Sequence, residues 1–471
     1  MVDLMTRDAS KFQLQSWYFY GQSYFGNLHV ILYTPFYWLF GGGVEKLQVY
    51  EHFVYWLSAL VFFSTLPKYR WGATIVYGLG YFFLTVRFHA LTYAQTYPFV
   101  IFLLACSYWL THRGLARFYR ARESFGVGLL TTLSLWHNIL YLPVIGVYAL
   151  SFGFTYFRRK DVRPDKYLLH QLAALGTGLG LGLIPLLLAT RSTEGDNLGW
   201  FGASQSGEFV SSAKYWLREI VLYFTYGLEY SGLSQIKEAF LLNPLVVFLQ
   251  FAGAGIILVF LASALFWVAR HPRQEAVLGL WIVIIGLAIF RRGVSSESEV
   301  FLYGRYLLFW HGLIWLAVAK YCLAAFEQAN GGWSTVVARF GGGFVSLYAL
   351  VFAFTLHATA YTGLQSYQTL YTSLREYGID YLYCEDYYMP CLSLVGQFGD
   401  EATVQILQSP PEKKYLSRNP QAFQVVDQAL EAGEVVHALT QKNNRRLPRE
   451  QVLGEYVVRG SVYELYTVSN E

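Results

Sequence analysis

Four groups of residues in this sequence could do chemistry. Arg291-Arg292 and Gly304-Arg305-Tyr306 flank a short polar stretch between two apolar runs. Guanidinium offers a planar fork of donors that suits phosphate oxygens. Snorkelling, or pairing with Glu297 or Glu299, would use the same side chains without a ligand. Asp3, Asp8, Glu45 and Glu51 precede the first long apolar run. A carboxylate beside a cavity can take the proton of an attacking hydroxyl, although a solvated surface carboxylate is its ordinary identity. The segment 18–27 (YFYGQSYFGN) sets Gln22 and Tyr24 among aromatic rings and glycines. That composition suits a pocket for a polar, ring-shaped ligand such as a sugar, and equally an aromatic belt at a membrane surface. The segment 87–97 adds His89, Tyr93 and Gln95. His89 there is a proton carrier, a phosphate contact or a solvated interface residue. No P-loop, GxSxG, HExxH, or GxGxxG opening a helix is present.

The surroundings of these groups are apolar. Of 471 residues, 55% are hydrophobic and only 14% charged, against roughly 25% charged in soluble domains. The mean hydropathy is +0.33. A soluble cytoplasmic enzyme, a disordered chain and a disulfide scaffold are excluded. The net charge of +4 is small and scattered, which speaks against nucleic acid as a partner. Ten apolar runs are candidate membrane spans: 52–67, 71–87, 98–111, 124–137, 139–156, 167–190, 241–269, 276–290, 306–326 and 341–362. The loops 68–70, 111–123, 157–166, 270–275 and 327–339 hold 14 Lys/Arg in 45 residues, whereas 88–97, 191–240 and 291–305 hold 7 in 75. Basic loops stay in the cytoplasm, so the basic set is expected inside and all four candidate groups outside.

On this orientation residues 1–51 begin outside. Met1 to Gln15 contains no apolar signal segment, so a further membrane helix is expected upstream of Met1. Residues 30–41, with Pro35 inside and glycines behind, are expected to lie as a helix along the membrane surface. From about 363 the long apolar runs end. A helix over 363–377, strands over 381–383 and 403–407, a helix over 421–432 and an alternating strand over 457–466 predict a small α/β domain. The chain thus divides into an outward first loop (1–51), a membrane domain (52–362) and an extracytoplasmic α/β domain (363–471). Cys384 and Cys391 in that domain form a disulfide or remain two thiols. Their spacing is no zinc signature.

In this order the pieces resemble the GT-C class of polytopic glycosyltransferases that use a polyprenyl-phosphate sugar. The likeness is greatest to the protein O-mannosyltransferases and the aminoarabinose transferases of lipid A. Leu4-Met5-Thr6-Arg7-Asp8 and Tyr20-Gly21-Gln22-Ser23-Tyr24-Phe25-Gly26-Asn27-Leu28 match the first outward loop of one branch. The surface helix ending at Leu39-Phe40-Gly41 matches as well. Gly128-Leu129-Leu130, Leu135-Trp136-His137-Asn138 and Gly304-Arg305-Tyr306-Leu307-Leu308 are similar to further family stretches. Leu374 to Tyr383 resembles the periplasmic domain of many members. One departure stands out: the family's catalytic acid precedes the Leu4-Met5 segment and would fall upstream of Met1.

The resemblance implies an all-α polytopic protein of the inner cell membrane, with about ten spans and a small extracytoplasmic α/β domain. It implies inverting sugar transfer on the outer side, from a polyprenyl-phosphate donor to a lipid, glycan or protein acceptor. Asp3 standing in for the missing acid, or Asp8, would be the base. Arg305 with Arg291 or Arg292 would hold the donor phosphate, while Gln22, Tyr24, His89, Tyr93, Gln95 and Tyr306 would line the substrate site. Neither a cofactor nor a metal is expected. Two other classes compete: a transporter or flippase for a lipid-linked or amphipathic substrate, and an inactive scaffold if no acid lies upstream.

Overall fold

Helices with apolar residues on every side have no reason to fold in water, and several in this chain have that character. The computed structural model describes residues 2–13, 26–42, 44–75, 97–116, 120–137, 144–150, 165–192, 244–294, 303–327, 336, 339–340, 343, 369–384, 403–406, 422–442, 447, 449–458 and 461–468. They fall into two compact units. The first comprises 1–48, 188–195 and 358–471, and the second 49–187 and 196–357.

The helices are α1 (Val2–Ser10), α2 (Leu28–Phe40), α3 (Val44–Phe63), α4 (Tyr97–Ala116), α5 (Ala121–His137), α6 (Asp165–Ser192), α7 (Pro244–Arg270), α8 (Pro272–Val294) and α9 (Tyr303–Glu327). Seven of the ten expected spans coincide with α3 to α9. Residues 70–75 and 144–150 are helical within two more. The tenth, 341–362, lies outside the described residues except for 343. Residues 169–188 of α6 and 251–270 of α7 are long and apolar enough to cross a membrane. Leu169, Leu181, Leu187, Phe248, Val259, Phe266, Val283 and Leu287 all point away from the protein interior. An exterior of large apolar side chains has hydrocarbon as its natural surroundings.

The interior of the second unit is set by aromatic rings. Trp281 meets Tyr108 edge-on at 5.9 Å and Tyr148 at 6.3 Å, and Phe62 lies 6.0 Å from Tyr108. Small residues fix the axial register. A Cβ on Gly286 would stand 3.2 Å from Trp310, whose indole N–H donates to the Ile282 carbonyl at 2.9 Å. A Cβ on Gly312 would press on the Phe62 ring at 2.5 Å. Helices α5 and α6 meet backbone to backbone: a Cβ on Gly178 would strike the Phe125 carbonyl, and one on Gly128 the Leu175 carbonyl. This is the close approach that small residues four apart allow between membrane helices.

The first unit holds a five-stranded sheet of β1 (Tyr381–Cys384), β2 (Thr403–Ile406), β3 (His437–Gln441), β4 (Arg449–Val458) and β5 (Ser461–Val468), ordered β2-β1-β3-β5-β4. Strand β1 pairs in parallel with β2 and β3, while β5 runs antiparallel to β3 and β4. Period-two alternation gives the sheet two apolar faces. Leu382, Cys384, Leu439, Tyr463 and Leu465 pack with Leu370 and Leu374 of the helical residues 369–376. On the other face Tyr383, Ala438, Tyr466 and Val468 pack with Val426 and Ala429 of α10 (Ala422–Glu431). Gly433, at φ +80°, closes α10 with Gly433 N to Leu430 O (3.1 Å) and Glu434 N to Ala429 O (2.9 Å), the Schellman pattern.

The strand expected over 457–466 is a correction. Strand β4 ends at Val458 and β5 begins at Ser461, with Val458 opposite Ser461 and Val457 opposite Val462. The alternation on both sides of Arg459-Gly460 belongs to two paired strands, and β3 was missed. Cys384 is disulfide-bonded, whereas Cys106 and Cys322 are free.

Within this domain, burial pushes the His437 imidazole below its ordinary value, against a backbone hydrogen bond at Tyr381 and the Asp380 charge. The folded domain therefore prefers neutral His437, and the unfolded chain binds the extra proton first. Stability is full above the unfolded histidine value of about 6.5 and is lost as pH falls below it. Protection factors of the β3 and β5 amides in the full chain, corrected for the intrinsic pH dependence of exchange, should fall from pH 7 to pH 5, and His437→Asn should flatten that dependence. The α5–α6 crossing gives a second expectation. Gly178→Leu should lower the thermal unfolding midpoint in detergent by overpacking, typically about 1–3 kcal/mol. Gly176→Leu should not, since nothing lies within 4 Å of its added Cβ.

Candidate functional site

Helix register decides which candidate residues share an end of the second unit. Trp310 of α9 lies on Gly286 of α8, and the two helices run in opposite directions, since Lys320 further along α9 reaches Glu275 at the start of α8 (2.5 Å). Arg291 is five residues beyond Gly286, and Arg305 five before Trp310. At 1.5 Å per residue both backbones stand about 7.5 Å past the crossing, at one level. Arg292 shares the last turn of α8 with Arg291, and Tyr306 follows Arg305 in the opening of α9. Three of the expected phosphate-binding residues are thus brought to one end by the backbone alone.

Helix α3 leads to the same end. It runs parallel to α9, because Phe62 meets Gly312 and, beyond it, Lys68 pairs with Glu327 at 3.0 Å. Glu51, eleven residues before Phe62, therefore lies at the end where Arg305 lies. It is 6% exposed, and its Oε1 is buried with no hydrogen-bond partner among the described residues. A carboxyl in that condition carries a desolvation cost and keeps Oε1 open to a proton or a hydroxyl. Among the four acidic residues named from the sequence, nothing in the pattern distinguished Glu51; its burial comes from tertiary packing. The antiparallel α4–α5 hairpin adds Phe99 and His137 to this end, their rings edge-to-face at 5.2 Å.

In the first unit α1 packs on α2. The Trp38 indole donates to the Ser10 carbonyl at 3.2 Å, and the Phe12 and Trp38 rings lie 6.2 Å apart. Phe12 N bonds Ala9 O (3.0 Å) and Gln13 N bonds Asp8 O (2.8 Å). That is a Schellman cap, with Phe12 at φ +58° where glycine is usual. The cap turns Phe12 fully outward beside the exposed Trp38, Leu39 and Phe40 of α2. The helix expected over 30–41 is α2, Leu28–Phe40. Asp8 is 3% exposed and engaged with the protein around it. Asp3 lies in the first turn of α1. Asn27, His29 and Tyr33 are buried on α2; the sequence reading passed over His29, whose spacing of four from Tyr33 was the available signal. Gln22, Tyr24, His89, Tyr93 and Gln95 lie outside the described residues. Among the described residues no group of three or more His, Cys, Asp or Glu gathers as a metal site would require.

No protein-family model and no curated protein matches the sequence. The structure is similar to two crystal structures of ArnT from Cupriavidus metallidurans. One is bound to undecaprenyl phosphate (TM-score 0.58, 14% identity) and the other is in the apo state (TM-score 0.57, 13% identity). Each likeness covers 99% of this chain and 92% of the other. The chain shares the ArnT fold over its full length, with a largely different sequence.

The condition of Glu51 can be measured. Glu51→Leu should raise the unfolding midpoint in detergent, recovering about 1–3 kcal/mol of the cost of an unmade buried hydrogen bond. A lowered midpoint would mean that the fold itself holds the carboxyl.

Proposed function

We propose that this chain is a multi-pass membrane glycosyltransferase of the GT-C kind. It moves a sugar from a polyprenyl-phosphate donor to an acceptor on the outer side of the inner cell membrane, with inversion. The observation that carries this reading is the shared level of Arg291 and Arg305 at the end of α8 and the start of α9. The fold, common to a protein crystallised with undecaprenyl phosphate, gives two arginine positions level at one end of an apolar bundle a fitting ligand. A lipid phosphate puts its chain in hydrocarbon and its charge at that margin. The same likeness favours transfer over transport.

The reading assigns Arg305, with Arg291 or Arg292, to the donor phosphate. The acceptor oxygen or nitrogen attacks the anomeric carbon from the face opposite that phosphate. As the new bond forms, the bond from the anomeric carbon to the phosphate oxygen breaks and polyprenyl phosphate leaves. The developing charge on the leaving phosphate is met by the guanidiniums. The acceptor's proton passes to a carboxylate. Asp3 and Asp8 are the candidates by sequence pattern, and Glu51 is the candidate by its open, buried carboxyl. Gln22, Tyr24, His89, Tyr93, Gln95 and Tyr306 line the sugar and acceptor side. No cofactor enters this scheme.

The topology proposed with it has ten spans, the basic loops in the cytoplasm, and residues 1–51 and 363–471 outside. The disulfide at Cys384 supports an oxidising location for that last domain.

Arg305→Ala should weaken binding of undecaprenyl phosphate at least tenfold, the scale of one lost charge-assisted hydrogen bond, with the unfolding midpoint unchanged. Arg305→Lys should recover part of the affinity, because the charge remains and the fork is lost. Affinity equal to that of the parent protein in Arg305→Ala would remove the phosphate assignment.

A further inference from the structure

The opposite end of the second unit carries a different arrangement. Lys68 pairs with Glu327 and Lys320 with Glu275, so two of the acidic residues there already hold a lysine. Glu123 accepts the backbone N–H of Arg120 at 3.0 Å. Among the described residues, the guanidiniums of Arg70, Arg113, Arg120, Arg122 and Arg270 have no carboxylate partner.

These five arginines stand at one end by register. Arg270 is the last residue of α7, five before Glu275. Arg70 is two residues from Lys68. His112 lies within electrostatic range of Lys320, which brings Arg113 to the same level. Leu110 faces Gly126 across the α4–α5 hairpin, which brings Arg120 and Arg122 there too.

Several are held in place. The Arg113 guanidinium lies 4.4 Å over the Trp109 ring and that of Arg270 4.2 Å over the Phe266 ring. Arg70 Nε donates to the Leu66 carbonyl at 2.5 Å. Stacking on a ring holds the planar cation while leaving its N–H edge free to bond. Tyr69 and Trp71, each 73% exposed, flank Arg70, as aromatic residues do at the level of lipid headgroups.

We infer that this end of the bundle binds the headgroups of anionic phospholipids in the leaflet it meets. No carboxylate among the described residues pairs with the five guanidiniums, so phosphate and glycerol oxygens of lipid are fitting acceptors for them. The aromatic rings place that demand at headgroup depth rather than in open water. The inference rests on the membrane-spanning reading and is independent of sugar transfer.

The test uses the full chain in nanodiscs of phosphatidylcholine alone and of phosphatidylcholine with phosphatidylglycerol at roughly seven to three. Native mass spectrometry should find phosphatidylglycerol retained roughly tenfold over its share, and the unfolding midpoint should be higher in the mixed disc. Arg70→Gln and Arg122→Gln, at exposed positions, should each cut the enrichment several-fold, about fivefold for 1 kcal/mol per surface arginine, with the midpoint in pure phosphatidylcholine unchanged. Raising the salt to 0.5 M should weaken retention. Equal retention of the two lipids by the parent protein would overturn the inference. So would variants that keep full enrichment, or inorganic phosphate at millimolar concentration giving the same rise in midpoint as the lipid.

Discussion

The second unit depends on the axial register of helices that have few polar groups with which to set it. Apolar helices in hydrocarbon slide past one another at little cost unless shape prevents it. Here shape is supplied by large rings seated on glycines: Trp310 on Gly286, and Phe62 against Gly312. Those two contacts determine which residues of α3, α8 and α9 finish level, and hence that Glu51, Arg291 and Arg305 share one end. Directional bonds then lock the register, through the Trp310 indole at one level and the Glu275–Lys320 pair at another.

Much of this was legible in the residues. Long apolar runs located the helices α3 to α9, because an apolar stretch of about twenty residues is defined by composition and needs no knowledge of neighbours. The composition change near residue 363 precedes the helical residues 369–376 and all five strands. What the sequence did not reveal is what depends on pairing. The stretch 457–466 alternates as one strand would, and only the partner register between Val458 and Ser461 shows that it contains a reversal. Helix α1 was read as loop, since Val2–Ser10 is short and polar and gains its burial from α2.

The candidate site divides in the same way. Arginines at loop edges are visible as departures from the charge bias, so Arg291, Arg292 and Arg305 could be named from sequence. Their common level could not, because it follows from glycine contacts twenty or more residues apart in the chain. Glu51 was one acidic residue among four until burial distinguished it. His29 drew no notice for the converse reason, a polar residue inside an apolar helix whose facing neighbours the sequence does not display.

The Glu275–Lys320 pair bears on how the protein is made. Each side chain is about nine-tenths buried, and 45 residues separate them. Until α9 has emerged from the ribosome, the Glu275 acid at the start of α8 has a counter-ion that does not yet exist. The pair is thus a contact that only the complete α8–α9 hairpin can make, and either helix alone would leave one buried charge without its counter-ion.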